Sequence, residues 1–591
     1  MDRNLILAIV LTTVILLVFQ YYTKTVAPPP AKKPPKTVET PVPRDVSRPE
    51  AEALKKPEAR PPERTAELQR PAPGDEKGVA PAVEVKVDAL KYEAVISSKG
   101  GRIVSFKLKD FKKSVEGSQP VDLVNFVPGV PATAGPSLIF VTTDKDEDAD
   151  DCRGSERDPE ACSLNYRCDS ADTVVRLGEK GAKQSITFRA TTRAGVTIAK
   201  TYTFHADRYW IDFSFTLTNE TATERNYHIA LPLRKNYADA KNETFAWDTV
   251  ETMVNGQWRN YYFQGGMTRR SVTGREQLFG DVQWAGMGDR YFFEALVFPK
   301  APTARVTLFE MSKTGAARIE VGLGAVDLPA GKPVTRNLAL YMGPKEYDSL
   351  KEAGNGLTNA LYYSDFPGIG KAVDFMAEYM MELLRLCNSG FQVAGVKIPG
   401  TGNWGIDIII LTVLVKILTI PLTHKSMKSM KKMQELQPEM AKLKEKYKDD
   451  KAALQKATME VWREHNASPW GGCWPMFLQI PIFVALYDVF GYAIELRHAH
   501  FVCIPSIYFC INDLSAPDPY YVTPILMGAS MALQQWMTPS SGDPTQKKMM
   551  MIMPVVLTWV FLSLPAGVVL YWLINNLLSI GQQLISNRMA E

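Results

Sequence analysis

The sequence predicts a membrane α-helical core, an N-terminal anchor plus a five-helix bundle, joined to a large antiparallel β-sandwich. Three observations predict it. Residues 83–362 carry repeated runs with apolar residues at every second position, as in Ile211, Phe213, Phe215 and Leu217, punctuated by Asn, Asp and Gly. Such alternation marks strands buried on one face. The last third instead holds five apolar stretches that read as helical spans of a membrane. A polar, Pro-rich stretch separates a lone apolar segment at the start from everything else. With 591 residues there is room for several domains, and a net charge of only +4 makes charge distribution more informative than its total.

The elements follow in chain order. Residues 1–24 are expected to be a transmembrane anchor, because Leu5 to Tyr22 is a mostly apolar, uncharged run. A cleaved signal peptide is the rival reading, but it needs a long apolar region and a cut beside Pro28. Residues 25–82, rich in Pro, Lys, Glu, Arg and Ala, bury too little apolar surface to offset chain entropy and read as a disordered tether. Residues 83–362 form the sandwich. Residues 363–390 switch to a helical period. Lys371, Asp374, Glu378, Glu382 and Arg385 share one face, and Val373, Phe375, Met376, Tyr379, Met380, Leu383 and Leu384 fill the rest. That pattern predicts an amphipathic helix lying in a membrane interface. The spans are then residues 402–423, 470–494, 520–538, 549–564 and 565–586, the last two forming a tight hairpin.

Charge sets the topology. The 424–469 segment holds eleven Lys and Arg against seven Asp and Glu, and the 539–548 loop carries Lys547 and Lys548. The 495–519 loop has a single Arg. The excess of basic residues places the first two in the cytoplasm and the third outside. The sandwich then lies outside and the N-terminus in the cytoplasm. An outside location allows Cys503 and Cys510, which bracket a short loop, to bond. The 424–469 segment reads as a helical hairpin broken at Lys448-Asp449-Asp450. Met427, Met430 and Met433 line one strip, followed by Met440. These methionines serve either as adaptable surface for varied partners or as the hairpin's own core.

The chemistry concentrates at Lys416, inside the span GIDIIILTVLVKILTIPLT. A charge at mid-membrane costs about 2.5–3.5 kcal/mol on insertion scales and marks a functional site by default. Thr412, Lys416, Thr419 and Thr423 share one helical face. The last span repeats the pattern with Trp572, Asn575 or Asn576, Ser579, and Gln582 or Gln583. Gln479 lies in the second span, and Gln534 and Gln535 in the third. Polar side chains in hydrocarbon need partners, so these stripes converge, either as simple helix-to-helix bonds or as the wall of a wet cavity. Lys416 has no obvious acidic partner within a span: Asp407 is over two turns away on the same helix, and the facing of Asp488 in the second span is not fixed by the sequence. Seven cysteines and six scattered histidines include no cluster with metal spacing, so neither metal nor cofactor is expected.

The segments GNWGIDIIILTVLVKILTIPLT, MKKMQELQPEM, NASPWGGCWPMFLQIPIFVALY, IELRHAHF, DLSAPDPYYVTPILMG and MPVVLTWVFLSLPAGVVLYWLINNLLS resemble the bacterial YidC membrane-protein insertases, of the YidC/Oxa/Alb type with a large periplasmic domain. SSKGGRIVSFKL and WAGMGDRYFFEALVFP match the sandwich in outline. The resemblance implies a super-sandwich-like periplasmic domain and an inner-membrane protein that is not an enzyme. It implies a hydrophilic, cytoplasm-facing groove that takes hydrophobic segments of nascent proteins and releases them into the lipid, alone or with the Sec translocon. Lys416 falls where the family carries a groove arginine, and Thr412 on a groove threonine. Gln479, Gln535, Asn576 and Ser579 would line the groove. Ile480, Phe483, Val556, Val560 and Trp572 fall on substrate-contact positions. Membrane lipids and, through the cytoplasmic loops, the ribosome are further expected partners; nucleic acid is not read directly. Lysine for arginine keeps the charge but loses the planar fork, and Trp572 stands where many members have tyrosine.

Three other classes compete. A channel or transporter would use Lys416 as an anion site, but no inverted repeat is visible among the spans. An enzyme would need a nucleophile one turn from Lys416, or an acid partner for His205 or His228 in the sandwich, and neither is evident. An assembly chaperone would bind segments without inserting them.

Overall fold

The computed structural model describes residues 83–124, 139–142, 164–170, 172–192, 195–236, 249–262, 272, 274–309, 316–361, 370–393, 396–447, 450–465, 474–504, 509–537 and 544–588. The expected anchor and tether, Cys152 and Cys162, and the side chains of Lys371, Met427, Met430, Met433, Lys547 and Lys548 lie outside the described residues.

The sandwich is built from a five-stranded and a 13-stranded sheet. Strand Trp210–Asn219 shows why the sequence pattern works: Ile211, Phe213, Phe215 and Leu217 point inward and the residues between them outward. It pairs antiparallel with both Val196–His205 and Pro333–Pro344. Among the described strands the pairing is antiparallel except for Glu84–Ala89 against Val174–Leu177; an isolated parallel bridge also joins Asn219 and Ala330. Strand Arg275–Gly288 has two partner sets. Its first half pairs with Thr303–Phe309 and its second with Thr249–Val254 and Phe292–Val297, so it bends from one face of the core to the other. The core is aromatic: Tyr92 stacks on Phe106 at 4.5 Å, Tyr202 meets Phe213 at 4.7 Å, and Trp284 meets Phe293 edge-on at 5.7 Å.

Buried charge in the sandwich is held by partners. Lys345 Nζ reaches Glu251 Oε1 at 2.7 Å, and Lys235 Nζ reaches Glu294 Oε1 at 3.1 Å. Burial pushes the Glu294 carboxyl above its ordinary range, and the Lys235 charge pulls it back. Lys200 is fully buried; its Nζ donates to the Gly100 carbonyl at 2.7 Å and lies over the Tyr166 ring at 4.5 Å. Tyr202 Oη donates to the neighbouring Gly101 carbonyl at 2.8 Å. Gly101 has φ +54° and packs against Tyr166, Lys200 and Phe188, a position where a side chain would be both strained and crowded.

The rest is helical: α1 Tyr347–Ala353, α2 Gly370–Ser389, α3 Trp404–Glu435, α4 Gln437–Lys446, α5 Lys451–Glu464, α6 Trp474–Tyr492, α7 Val522–Met537, α8 Pro544–Phe561 and α9 Ala566–Arg588. By length and composition Trp404–Pro421 and Ala566–Ile585 can each cross a membrane, with shorter apolar helices at Gln479–Tyr492 and Met551–Phe561. The outward surface is apolar: Leu418, Val555 and Trp536 are 78 %, 70 % and 84 % exposed. That surface is the reverse of the sandwich pattern.

Three local outcomes bear on the sequence reading: two differ from it, and the Cys503–Cys510 bond agrees with it. The span expected to stop at 423 continues as one helix to Glu435 through Pro421. The hydroxyls of Thr419 and Thr423 bond backward to the carbonyls of Val415 and Thr419, one turn before each, along this stretch. The 495–519 loop contains a two-strand ladder, Val502–Ile504 with Phe509–Ile511, that sets Cys503 opposite Cys510, and the two are joined by a disulfide. His205 does have an acid partner: its Nε2 lies 2.9 Å from Asp212 Oδ2, and Trp210 Nε1 donates to Asp212 Oδ1 at 2.8 Å. The hairpin joining their strands places the two on one face, two residues out of register.

Helix α2 buries Val373, Ala377, Met381 and Leu384 against the bundle and leaves Phe375 and Tyr379 exposed. In the hairpin of α4 and α5 a small core forms from Leu436, Val461, Leu443 and Trp462, with Met440 only half-buried. Asp450 caps α5 by accepting from the Ala453 amide at 2.9 Å, at the break the sequence marks.

Candidate functional site

Helix α9 is the hub of the bundle's polar groups. Towards α3, Lys416 Nζ donates to Ser579 Oγ at 2.6 Å, and Gln582 Nε2 donates to Thr423 Oγ1 at 3.1 Å. Towards α6, Gln479 Nε2 donates to Tyr571 Oη at 3.0 Å. Towards α7, Asn576 Nδ2 donates to Ser530 Oγ at 3.1 Å, and Gln583 Nε2 donates to the Met537 carbonyl at 2.7 Å. Spacings of three and four place 572, 576, 579 and 583 along one side of a helix. The bonds from Tyr571 and Gln582 leave from beside that stripe, which is how one helix reaches three neighbours.

Lys416, Ser579, Gln479 and Asn576 are therefore brought together as helix-to-helix bonds, and Gln535 sits half-buried on α7. Thr412 is buried and turned to its own backbone, donating to the Ile408 carbonyl at 2.7 Å. Among the described residues no carboxylate pairs with Lys416. Asp407 is buried and occupied elsewhere, accepting from Asn388 Nδ2 at 2.7 Å and Thr401 Oγ1 at 2.5 Å. A half-buried ammonium held by one neutral hydroxyl keeps donor capacity for a further acceptor.

Beside the polar stripe lies an aromatic one. Phe483 meets Trp572 edge-on at 5.1 Å, and Phe561 meets Trp572 at 5.2 Å. Ile480 is exposed and Val556 half-buried on the flanking helices. Val560 is different: it is buried in the core, with no free face for a guest segment. Tyr571 and Ser530 escaped the sequence reading. Tyr571 precedes the polar stripe by one position, and Ser530 is a small polar residue on a helix otherwise read for its glutamines.

The N-terminal end of α3 is closely packed against the 495–519 loop. Asn403 caps that helix through the amides of Gly405 and Ile406 and donates its own amide to the Phe501 carbonyl at 2.9 Å. Gly405 lies so close to the Phe501 ring that a Cβ there would overlap it. The first amides of α9 donate into the 495–519 loop, Ala566 to Ala516 at 2.7 Å and Gly567 to Leu514 at 2.9 Å. One group of described residues has metal-ligating types close together, His500, Cys503 and Cys510. The disulfide uses both sulfurs and leaves one imidazole, which is too few donors to hold an ion.

Two family models cover the chain. Residues 84–380 match the YidC periplasmic domain and residues 397–591 the 60Kd inner membrane protein family. A protein of Geobacter sp. (strain M21) named membrane protein insertase YidC is 35 % identical over 87 % of this chain and 87 % of its own length. One of Syntrophus aciditrophicus (strain SB) with the same name is 36 % identical over 90 % of this chain and 88 % of its own. A solved structure titled as an active YidC insertase with the first transmembrane domain resolved matches at 16 % identity. It covers 86 % of this chain and 93 % of that one, with a TM-score of 0.33.

Proposed function

The chain belongs to the YidC family of membrane protein insertases, and on that premise we propose that α3, α6, α7, α8 and α9 form a cytoplasm-facing groove. It takes hydrophobic segments of nascent membrane proteins and releases them sideways into the inner membrane, alone or beside the Sec translocon. The observation that carries this reading is Lys416, bonded only to the Ser579 hydroxyl among the described residues. Its charge supplies a positive site that draws in acidic or polar flanking residues of the incoming segment. The aromatic edge of Phe483 and Trp572, with Ile480 and Val556, offers the apolar part a route out. The dense packing of Asn403, Gly405 and Phe501 seals the opposite end. The hairpin of α4 and α5 stands on the basic, cytoplasmic side, where a ribosome or emerging chain arrives, and the sandwich is periplasmic.

The test uses purified protein in liposomes and a short single-span substrate offered during synthesis, scored by its protease-protected tail. Protection above empty liposomes is expected. Lys416→Ala should lower insertion of acidic-tailed substrates by about tenfold, the scale of one lost charge-assisted bond, and that of neutral-tailed ones far less. Lys416→Arg should stay close to the parent. Equal insertion by the alanine variant across all tails would refute the charge role. Binding of the segment without protection would favour an assembly chaperone.

A further inference from the structure

Three sequence segments far apart in the chain meet at one place: the turn in WAGMGDRYFF, the start of the 495–519 loop in IELRHAHF, and DLSAPDPYY. The turn joins strands Arg275–Gly288 and Phe292–Val297 of the sandwich. Asp289 Oδ1 stiffens it by accepting from the amides of Tyr291 and Phe292, each at 2.8 Å. From it Arg290 reaches into the helical core. Its Nε donates to the Gly491 carbonyl and its Nη2 to the Ser515 carbonyl at 3.4 Å. The guanidinium also lies over the rings of Tyr291 and Tyr492, at 5.1 and 5.7 Å. Tyr291 Oη donates to Ser515 Oγ at 2.9 Å. A second arginine crosses in the opposite direction. Arg497 stacks on Tyr291 and Phe292, both at 5.5 Å, and its Nη2 donates to the Lys113 carbonyl at 3.2 Å.

Gly491 is the penultimate residue of α6. The last four carbonyls of a helix lack intrahelical partners, and that end carries partial negative charge. A guanidinium there satisfies a carbonyl and complements the helix dipole together. We propose that Arg290 is a positioning residue that lets the sandwich set the orientation of α6, the helix bearing Gln479, Ile480 and Phe483. The tyrosine and the second arginine keep the two domains from rotating about that one bond. Gly491 is part of the fit, because a Cβ there would come within 3.3 Å of Arg290 Nη2. The link is a property of the fold; only its consequence for substrate rests on the groove reading, so the two can fail separately.

Hydrogen exchange by mass spectrometry on the full chain in lipid nanodiscs tests it. In Arg290→Ala and Arg290→Glu, amides of segment 489–497 should exchange at least about tenfold faster. Strand Trp210–Asn219 should keep its protection, which reports that the sandwich remains folded. Arg290→Lys should recover much of the loss, since an ammonium still serves a carbonyl. Gly491→Leu, which pushes the guanidinium away while leaving Arg290 in place, should reproduce the alanine result. Unchanged exchange in segment 489–497 for both Arg290→Ala and Arg290→Glu would overturn the proposal. So would a lysine variant no better protected than alanine, which would make the arginine a mere space-filler.

Discussion

Two lysines, one buried and one half-buried, separate the sandwich from the helical core. Lys200 is enclosed by a carbonyl and an aromatic face, and its neighbourhood is complete. Lys416 is half-buried between two helices and donates to one serine hydroxyl. The same side chain is a structural rivet in the first setting and an available charge in the second. The contrast extends to whole regions. The sandwich pairs its buried Lys345 and Lys235 with carboxylates and turns apolar residues inward. The core also exposes apolar residues on its outer surface, and α9 bonds its neighbours mostly through single hydrogen bonds between neutral groups. A buried ion pair broken on one side leaves an uncompensated charge, whereas a neutral helix-to-helix bond can open and reclose at little cost. The first suits a scaffold and the second a passage that must admit guests.

Substitutions can break or sharpen this contrast. The largest effect belongs to the sandwich. Trp284→Ala, which empties a fully buried aromatic site, should destabilise that domain by about 3–5 kcal/mol. Denaturant unfolding followed by near-ultraviolet circular dichroism reads this, and a loss below about 1 kcal/mol would mean the core is less closely packed than described. In the helical core Ser579→Ala removes the hydroxyl that holds Lys416. The change in stability should stay within about 1 kcal/mol, while the preference for acidic over neutral tails should shift because the ammonium is no longer held in place. An unchanged preference would show that Ser579 is incidental. The smallest effect lies on the sandwich surface. Lys109 Nζ bonds Asp88 Oδ1 at 2.6 Å and holds that carboxyl below its ordinary value of 3.8. A carboxylate depressed in the folded state stabilises it above pH 3.8, and the contribution fades as pH falls through the depressed value. Both groups are exposed, so Asp88→Asn should cost no more than about 1 kcal/mol near pH 7. The gap between variant and parent should close on acidification; a gap that widens would reverse the assigned sign.

Much of this was legible from residue order. Alternation at every second position marks the strands, and the polar positions 572, 576, 579 and 583 mark the face of α9 that reaches its neighbours. Other features carry no periodic signal. The contact of Arg290 with Gly491 joins residues about 200 positions apart, and neither is unusual in its own segment. Proline is a poor marker in the long helix, which runs on through Pro421 to Glu435. The Asp212 partner of His205 could have been found by folding the hairpin at its Asp-Arg turn and pairing positions across it. Val560 shows the limit of transferring a role by position. The family pattern marks it for contact, yet its side chain is enclosed by this chain's own packing.

Helix α3 has a length with mechanical consequences. Its 32 residues extend about 48 Å at 1.5 Å per residue, well beyond a hydrocarbon layer of about 30 Å. Counted from Trp404, Pro421 falls about 26 Å along the axis, near the point where the proposed topology takes the helix out of lipid. The remaining turns form a mast rooted in the membrane. In the proposed topology it carries the hairpin of α4 and α5 clear of the lipid headgroups, so a load applied to that hairpin would act with leverage on the segment bearing Lys416.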